Sequence, residues 1–238
     1  MTSGAALTLY TWPTPNTRKV TIALAELGLT YETVAVDLGR GDQFDPSFLA
    51  LNPNNKVPVL VDRDGAEPVV VFESGAILLH LAEKSGRLLP ESATNRARAL
   101  SWLFWQVGAL GPALGQAGHY TNYVATPYAA ARAADEVDRL FGALERGLRG
   151  RDFLAGTYSI ADIACFPWVW SAPKITAVDF AAFPAVLAWR DRVASRPSVL
   201  TGMRADRERT RAWSDADRAV LFGQTADRVN VFESARRR

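Results

Sequence analysis

Apolar and polar positions follow two rhythms in this chain, and the rhythm changes near Pro90. Before that point, short β-branched runs alternate with helical spacing. Residues 7–11, 31–36, 59–61 and 69–72 read as strands. Residues 17–27 place Val20, Leu24 and Leu27 on one helical face, and Gly28 supplies a stop. Residues 46–51 have room for one or two helical turns, and 74–83 read as a helix with Ser74 near its cap. The predicted order is βαβαββα, about eighty residues of α/β structure with a mixed sheet.

After Leu89-Pro90 strand signals vanish, and Ala, Leu, Arg and Trp dominate. Helices are predicted over 99–107, 127–148, 160–168 and 186–194. Gly111-Pro112, Pro127, Gly156, Pro173 and Pro197 are expected to punctuate them. The fold class is therefore α/β plus all-α: a first domain over 1–88, a helical domain over 94–203, and a charged, partly disordered extension over 204–238. Within that extension 216–222 is expected to form a short docked helix, and 235–238 to be disordered. Ser159-Ile160-Ala161-Asp162 precedes the apolar run IACFPWVW, the pattern of a capping box with Asp for Glu. Asp162 is accordingly read as structural. Trp102, Phe104, Trp105, Trp168, Trp170 and Trp189 are expected in the helical core, with Trp105 and Phe104 as alternatives for lining a cleft. His80 reads as structural, and His119 as a candidate ligand contact.

Bulk properties narrow the chemistry. The chain has 238 residues and one cysteine, Cys165, so no intrachain disulfide is possible. This fits a reducing compartment, and a cytoplasmic location is expected. Formal net charge is +2, yet residues 204–238 carry nine Arg against six Asp or Glu, which leaves the rest near −1. The basic balance is thus a tail property and not a clustered footprint, so nucleic acid is not an expected partner. No apolar run approaches the ~20 residues of a membrane span, and no signal peptide is evident, so no membrane partner is expected. Two isolated histidines and one cysteine give no metal-ligand spacing.

The richest chemistry lies in 52–75, NPNNKVPVLVDRDGAEPVVVFESG. X–Pro is the bond type where cis is cheap, and a cis Val57-Pro58 turns the Val57 N–H and C=O towards an extended ligand. Ser74, at a helix N-terminus, offers a hydroxyl and a backbone N–H to a carboxylate. The pair suits a small peptide with an anionic end. Near the first helix, Thr14 and Asn16 either cap it or donate hydrogen bonds to a thiolate, where the helix dipole also favours negative charge. Lys56 either neutralises a ligand carboxylate or is a solvated loop lysine.

The segments PTPNTRKV (13–20), VDLGRGDQF (36–44), NPNNKVPVLVD (52–62), FESGAILLHLAEK (72–84), WLFWQVGALGPALGQ (102–116) and LFGQTADR (221–228) extend this pattern. Over roughly residues 7–200 the chain resembles the cytosolic glutathione transferases, and most of all their nu class, with a thioredoxin-like first domain. The resemblance implies a homodimer that binds glutathione or glutathione disulfide and reduces disulfide bonds without a catalytic cysteine. It implies Thr14 and Asn16 at the glutathione sulfur, and Gln43 and Lys56 at the glycyl end. It implies Val57 for backbone pairing, and Glu73 and Ser74 for the γ-glutamyl ammonium and carboxylate. Arg132 would reach the ligand from the neighbouring subunit. Tyr10 points away by strand alternation. Expected substrates are a small disulfide or a peroxide. Conjugation of glutathione to an electrophile and a non-catalytic glutathione-binding regulatory module are the alternative readings.

Overall fold

The computed structural model describes residues 5–123 and 126–223. Its first part holds four strands, β1 (Leu7–Thr11), β2 (Tyr31–Ala35), β3 (Val59–Asp62) and β4 (Val69–Phe72), and the helices α1 (Pro15–Leu27), α2 (Pro46–Leu49) and α3 (Ser74–Ser85). The sheet order is β2-β1-β3-β4, with β1 parallel to β2 and antiparallel to β3, and β4 antiparallel to β3. Leu9 faces Leu60 across the central pair. This is the thioredoxin-like βαβαββα arrangement predicted from periodicity. The central strand β3 is buried throughout, whereas β4 at the edge exposes Val69, Val70 and Phe72.

Helix α1 begins at Pro15, two residues before the predicted start. Pro at the first helical position lacks an N–H that has no partner there in any case. The helix ends as predicted at Gly28, whose φ of 69° is the left-handed cap favoured by glycine.

The second part holds α4 (Ala93–Trp105), α5 (Gly111–Asn122), α6 (Pro127–Leu148), α7 (Ile160–Ile175), α8 (Pro184–Ala194), α9 (Pro197–Arg204) and α10 (Asp215–Gly223). Two expected breaks fall differently. Between α4 and α5 the chain runs on through a π-helical turn, Gln106–Leu110, into Gly111-Pro112. Wider spacing there absorbs the missing Pro112 N–H without ending the rod. Helix α7 continues through Pro167 and Pro173, because tertiary burial of its apolar surface outweighs the local cost of proline. Pro197 punctuates as expected, opening α9 just after α8 ends at Ala194.

One continuous core joins the two parts. Leu9, Val20, Ile22, Leu24, Ile77 and Leu81 pack into the same cluster as Leu103, Leu114, Phe141, Phe166 and Trp189. Helix α9 lies so close on α1 that a Cβ at Gly202 would come within 2.5 Å of the Ile22 backbone. Thr21 Oγ1 donates to the Gly202 carbonyl at 2.8 Å across that contact.

The capping box of α7 forms as predicted. The Ser159 amide donates to Asp162 at 3.0 Å, and Ser159 Oγ accepts from the Ala161 amide. Asp162 also accepts from the Leu154 amide at 3.0 Å and the Trp189 indole at 2.9 Å. Burial pushes its carboxyl up to about 6 against these hydrogen bonds. The aromatic expectation needs correction. Trp189 is fully buried, but Phe104 and Trp170 are exposed, and Trp168 is half-buried. His80 is structural, bonded to Asp62 at 2.8 Å beside Lys84.

The start of the C-terminal extension is ordered against the body. Thr11 Oγ1 donates to Asp206 at 2.8 Å, Arg18 donates to the Ala205 carbonyl, and Arg211 pairs with Asp217 and Asp37. The expected short helix over 216–222 is α10, and a second Ser-x-x-Asp box opens it: the Ser214 amide donates to Asp217, and the Asp217 amide to Ser214 Oγ. Arg211 and the Ser214 donors hold the Asp217 carboxyl well below the usual range. The disorder expected at 235–238, and the end of the motif at 224–228, lie outside the described residues.

Candidate functional site

A cleft of about 540 Å³ opens between the first part of the chain and the helical part. Seven of the eight residues singled out from sequence line it: Thr14, Asn16, Gln43, Lys56, Val57, Glu73 and Ser74. The eighth, Arg132, sits in a separate cavity of about 460 Å³ between α5 and α6, with Gln116, Tyr120 and Tyr128.

The first wall is the start of α1. Thr14 is its N-cap, with Oγ1 accepting from the Thr17 amide at 3.2 Å. Asn16 is the second helical residue. Its Oδ1 accepts from the Trp168 indole N–H at 3.0 Å. An indole only donates, so this bond fixes the amide orientation and assigns the donor role to Nδ2. Capping and donation to a ligand are therefore compatible for Thr14, and Asn16 is not a cap at all.

The second wall is the loop before β3. Val57-Pro58 is cis. Asn52 Nδ2 donates to the Lys56 carbonyl at 2.7 Å and fixes the loop from behind. Gln43 arrives on the turn Asp42–Phe44, almost fully buried, with Nε2 donating to the Leu38 carbonyl at 3.3 Å. Its Oε1 is buried without a hydrogen-bond partner among the described residues.

The floor is the start of α3. Glu73, not Ser74, occupies the cap position, with φ 68° and ψ 119°. A positive φ at a non-glycine residue is uncommon, and such strain concentrates at ligand sites. Glu73 is exposed, and its carboxylate accepts from Asn54 Nδ2 at 3.1 Å. Ser74 is the first helical residue and is buried. Its hydroxyl contacts Lys19 Nζ at 3.2 Å, behind the cleft. Burial lowers the Lys19 ammonium to about 7.

Sequence reasoning missed the contributors from the helical part. Trp168 from α7 and Gly115 from α5 line the cleft, and Leu221 from α10 reaches it. Lys19 is also new, although it is the only charge in the run Lys19-Val20-Thr21-Ile22-Ala23-Leu24. His119, a candidate for a ligand contact, does not line this cleft: its ring packs on Phe222 at 4.7 Å and on Tyr120 and Tyr123. Phe104 and Trp105 do not line it either. Cys165 is fully buried, and burial pushes its thiol up, so it stays neutral and inert. Among the described residues no group of three His, Cys, Asp or Glu is placed to hold a metal ion. No described helix is long and apolar enough to cross a membrane.

A thioredoxin-like sheet, a strained start to α3 and a helical roof over the cleft define a class: a thioredoxin-like first part joined to a helical second part, with the cleft between them. Known proteins give the same class. Residues 5–83 match the glutathione S-transferase N-terminal domain, and residues 116–197 match its C-terminal domain. The chain is 50% identical to the disulfide-bond oxidoreductase YfcG of Escherichia coli K12 over 200 residues, covering 80% of this chain and 91% of that protein. It is 39% identical to YghU, a disulfide-bond oxidoreductase of the same organism, over 82% of this chain and 73% of that one. A glutathione transferase from Pseudomonas putida, solved with one glutathione disulfide per subunit, superposes with a TM-score of 0.82 at 40% identity. That match covers 87% of this chain and 94% of the other. One from Burkholderia graminis, with two glutathione molecules per subunit, gives 0.80 at 40% identity over 85% and 89% of the two chains. The chain belongs to the glutathione S-transferase family, and within it to the nu-like proteins.

Proposed function

We propose that this protein is a glutathione-dependent disulfide-bond reductase in which the thiolate of bound glutathione does the work of a catalytic cysteine. One observation carries the reading: the cleft gathers seven peptide-binding candidates, while the one cysteine of the chain is buried elsewhere. The names of the similar proteins YfcG and YghU, and the glutathione disulfide held by the Pseudomonas putida protein, support it.

In this reading Ser74 and the α3 N-terminus take the γ-glutamyl carboxylate, and Glu73 takes its ammonium. Val57 pairs with the ligand backbone, Gln43 Oε1 accepts a ligand N–H near the glycyl end, and Lys56 neutralises the glycyl carboxylate. The sulfur lies at the start of α1. Asn16 Nδ2 and the Thr14 hydroxyl donate to it, and the helix dipole adds favourable potential. Together they raise the thiolate fraction at neutral pH, and the thiolate is the nucleophile.

The thiolate attacks one sulfur of the substrate disulfide. A glutathione–substrate mixed disulfide forms, and the other substrate sulfur leaves as a thiolate that takes a proton. A second glutathione thiolate attacks the glutathione sulfur of that intermediate. Glutathione disulfide forms and the second substrate thiol leaves. Two glutathiones are oxidised and one disulfide is reduced. A peroxide takes the same two electrons and yields an alcohol and water.

Residues 1–88 then form the glutathione-binding domain, 94–203 the helical domain with the substrate cleft and dimer contacts, and 204–238 a charged extension, from which Leu221 reaches the cleft. The functional unit is a cytoplasmic homodimer in which Arg132 reaches the ligand of the neighbouring subunit. Exposed Val69, Val70 and Phe72 on β4, and Phe104 on α4, supply apolar surface suited to a partner. The test is a parallel assay of purified protein with glutathione plus a small disulfide, a peroxide or an aryl halide. Disulfide turnover should dominate. Turnover of the aryl halide alone would replace this reading with conjugation, and no turnover with tight glutathione binding would leave a binding module. Light scattering that shows an active monomer would remove the role of Arg132 across subunits.

A further inference from the structure

We propose that Lys19 is a buried positioning residue of the carboxylate site, which turns the Ser74 hydroxyl towards the ligand and takes up a proton from solvent when the carboxylate binds. The proposal rests on the glutathione reading above and assigns a new part to a residue outside the cleft lining.

Lys19 projects from α1 and is 1% exposed. Its Nζ reaches Ser74 Oγ at 3.2 Å and Gln106 Oε1 on the π-helical turn, both neutral groups. It makes no ion pair with a described residue. Two titratable groups act on it electrostatically, Glu73 at the start of α3 and Cys165 on α7. Glu73 is exposed and engaged with Asn54, and the Cys165 thiol is neutral. Burial therefore dominates and brings the ammonium down to about 7. The positive end of α3 opposes a charge on Lys19 as well. Gln106 is fully buried, and its Nε2 has no hydrogen-bond partner among the described residues. A buried ammonium facing a helix N-terminus needs an anion, and the cleft side of Ser74 is where an anion fits.

Ser74 links the two. With Lys19 neutral, the hydroxyl donates to the Nζ lone pair, and its proton points away from the cleft. With Lys19 charged, Nζ donates to Ser74 Oγ, and the hydroxyl proton is free for a ligand carboxylate. Binding a carboxylate thus raises the affinity of Lys19 for its proton. Below about pH 7 Lys19 already carries the charge in the free protein. Above that value binding requires uptake, so affinity falls as pH rises.

Calorimetry on the full chain tests this with S-methylglutathione, which has no thiol to titrate, in buffers of different ionisation enthalpy between about pH 6 and 9. Net proton uptake is expected above pH 7 and not below. An analogue with γ-aminobutyryl in place of γ-glutamyl lacks only the one carboxylate and should bind without uptake. Lys19→Met should weaken S-methylglutathione by about ten- to a hundredfold at neutral pH, abolish uptake and leave the analogue unaffected. Wild-type binding with no uptake, equal uptake with both ligands, or equal weakening of both by Lys19→Met would each overturn the proposal while leaving the glutathione reading intact. Failure of wild type to bind S-methylglutathione would remove both. Should Lys19→Met not fold, the wild-type proton count decides alone.

Discussion

The proposed function gives Asn16 two jobs that substitutions can separate. Its Oδ1 accepts from the Trp168 indole at 3.0 Å, and its Nδ2 is the donor left for the glutathione sulfur. The first bond is neutral and half-buried, worth about 1 kcal/mol of stability. The second is a hydrogen bond to a charged sulfur, worth roughly 1.5–3 kcal/mol, or about ten- to a hundredfold in rate. Asn16→Ala removes both. Asn16→Asp keeps an acceptor for Trp168 and suits the second position of α1, where the dipole favours a negative charge. It nevertheless gives the sulfur no donor and sets a like charge beside it. Asn16→Asp should thus match the wild type in urea unfolding yet lose at least as much reductase activity as Asn16→Ala. The bound glutathione thiol should titrate higher in both variants, by roughly one to two pH units. The assay is disulfide reduction at saturating glutathione, with the ultraviolet absorbance of the bound thiolate followed against pH. Wild-type turnover and an unshifted thiol in Asn16→Asp would refute the reasoning and leave Asn16 as an anchor for Trp168.

Three further outcomes are expected. Ser74→Ala and Glu73→Gln should raise the glutathione Kd while turnover of the saturated complex changes little; preserved affinity by calorimetry would contradict the γ-glutamyl assignment. Asp162→Ala leaves the Ser159 and Leu154 amides and the Trp189 indole as buried donors without an acceptor. At ~1–3 kcal/mol each, denaturant unfolding should show a loss of at least about 3 kcal/mol. Cys165→Ser should keep glutathione-dependent disulfide reduction, with some stability lost to the buried hydroxyl. A folded but inactive Cys165→Ser protein, or a Cys165–glutathione adduct found by mass spectrometry during turnover, would overturn the mechanism without a protein thiol.

The sequence by itself determined what local chemistry controls. Apolar alternation over 7–11 and 59–61, the Gly28 stop and the Ser159–Asp162 box each act within a few residues, and each is present in the fold. Seven of the eight candidate residues share one cleft, and they were legible because they lie in or beside short motifs at element ends, where backbone groups lack internal partners. The same local logic misjudged Gly111-Pro112 and Pro173, where packing carries a helix past a proline. The tertiary structure alone decided which groups meet across the domains. Asn16 finds Trp168 across 152 residues, and Lys19 finds Gln106 across 87. Leu221 lines the cleft from α10, and the Arg211, Asp217 and Asp37 cluster ties the start of the extension to the body. No periodicity records such meetings. They follow from which surfaces the fold brings together, and so does the low ammonium pKa of Lys19, which burial creates.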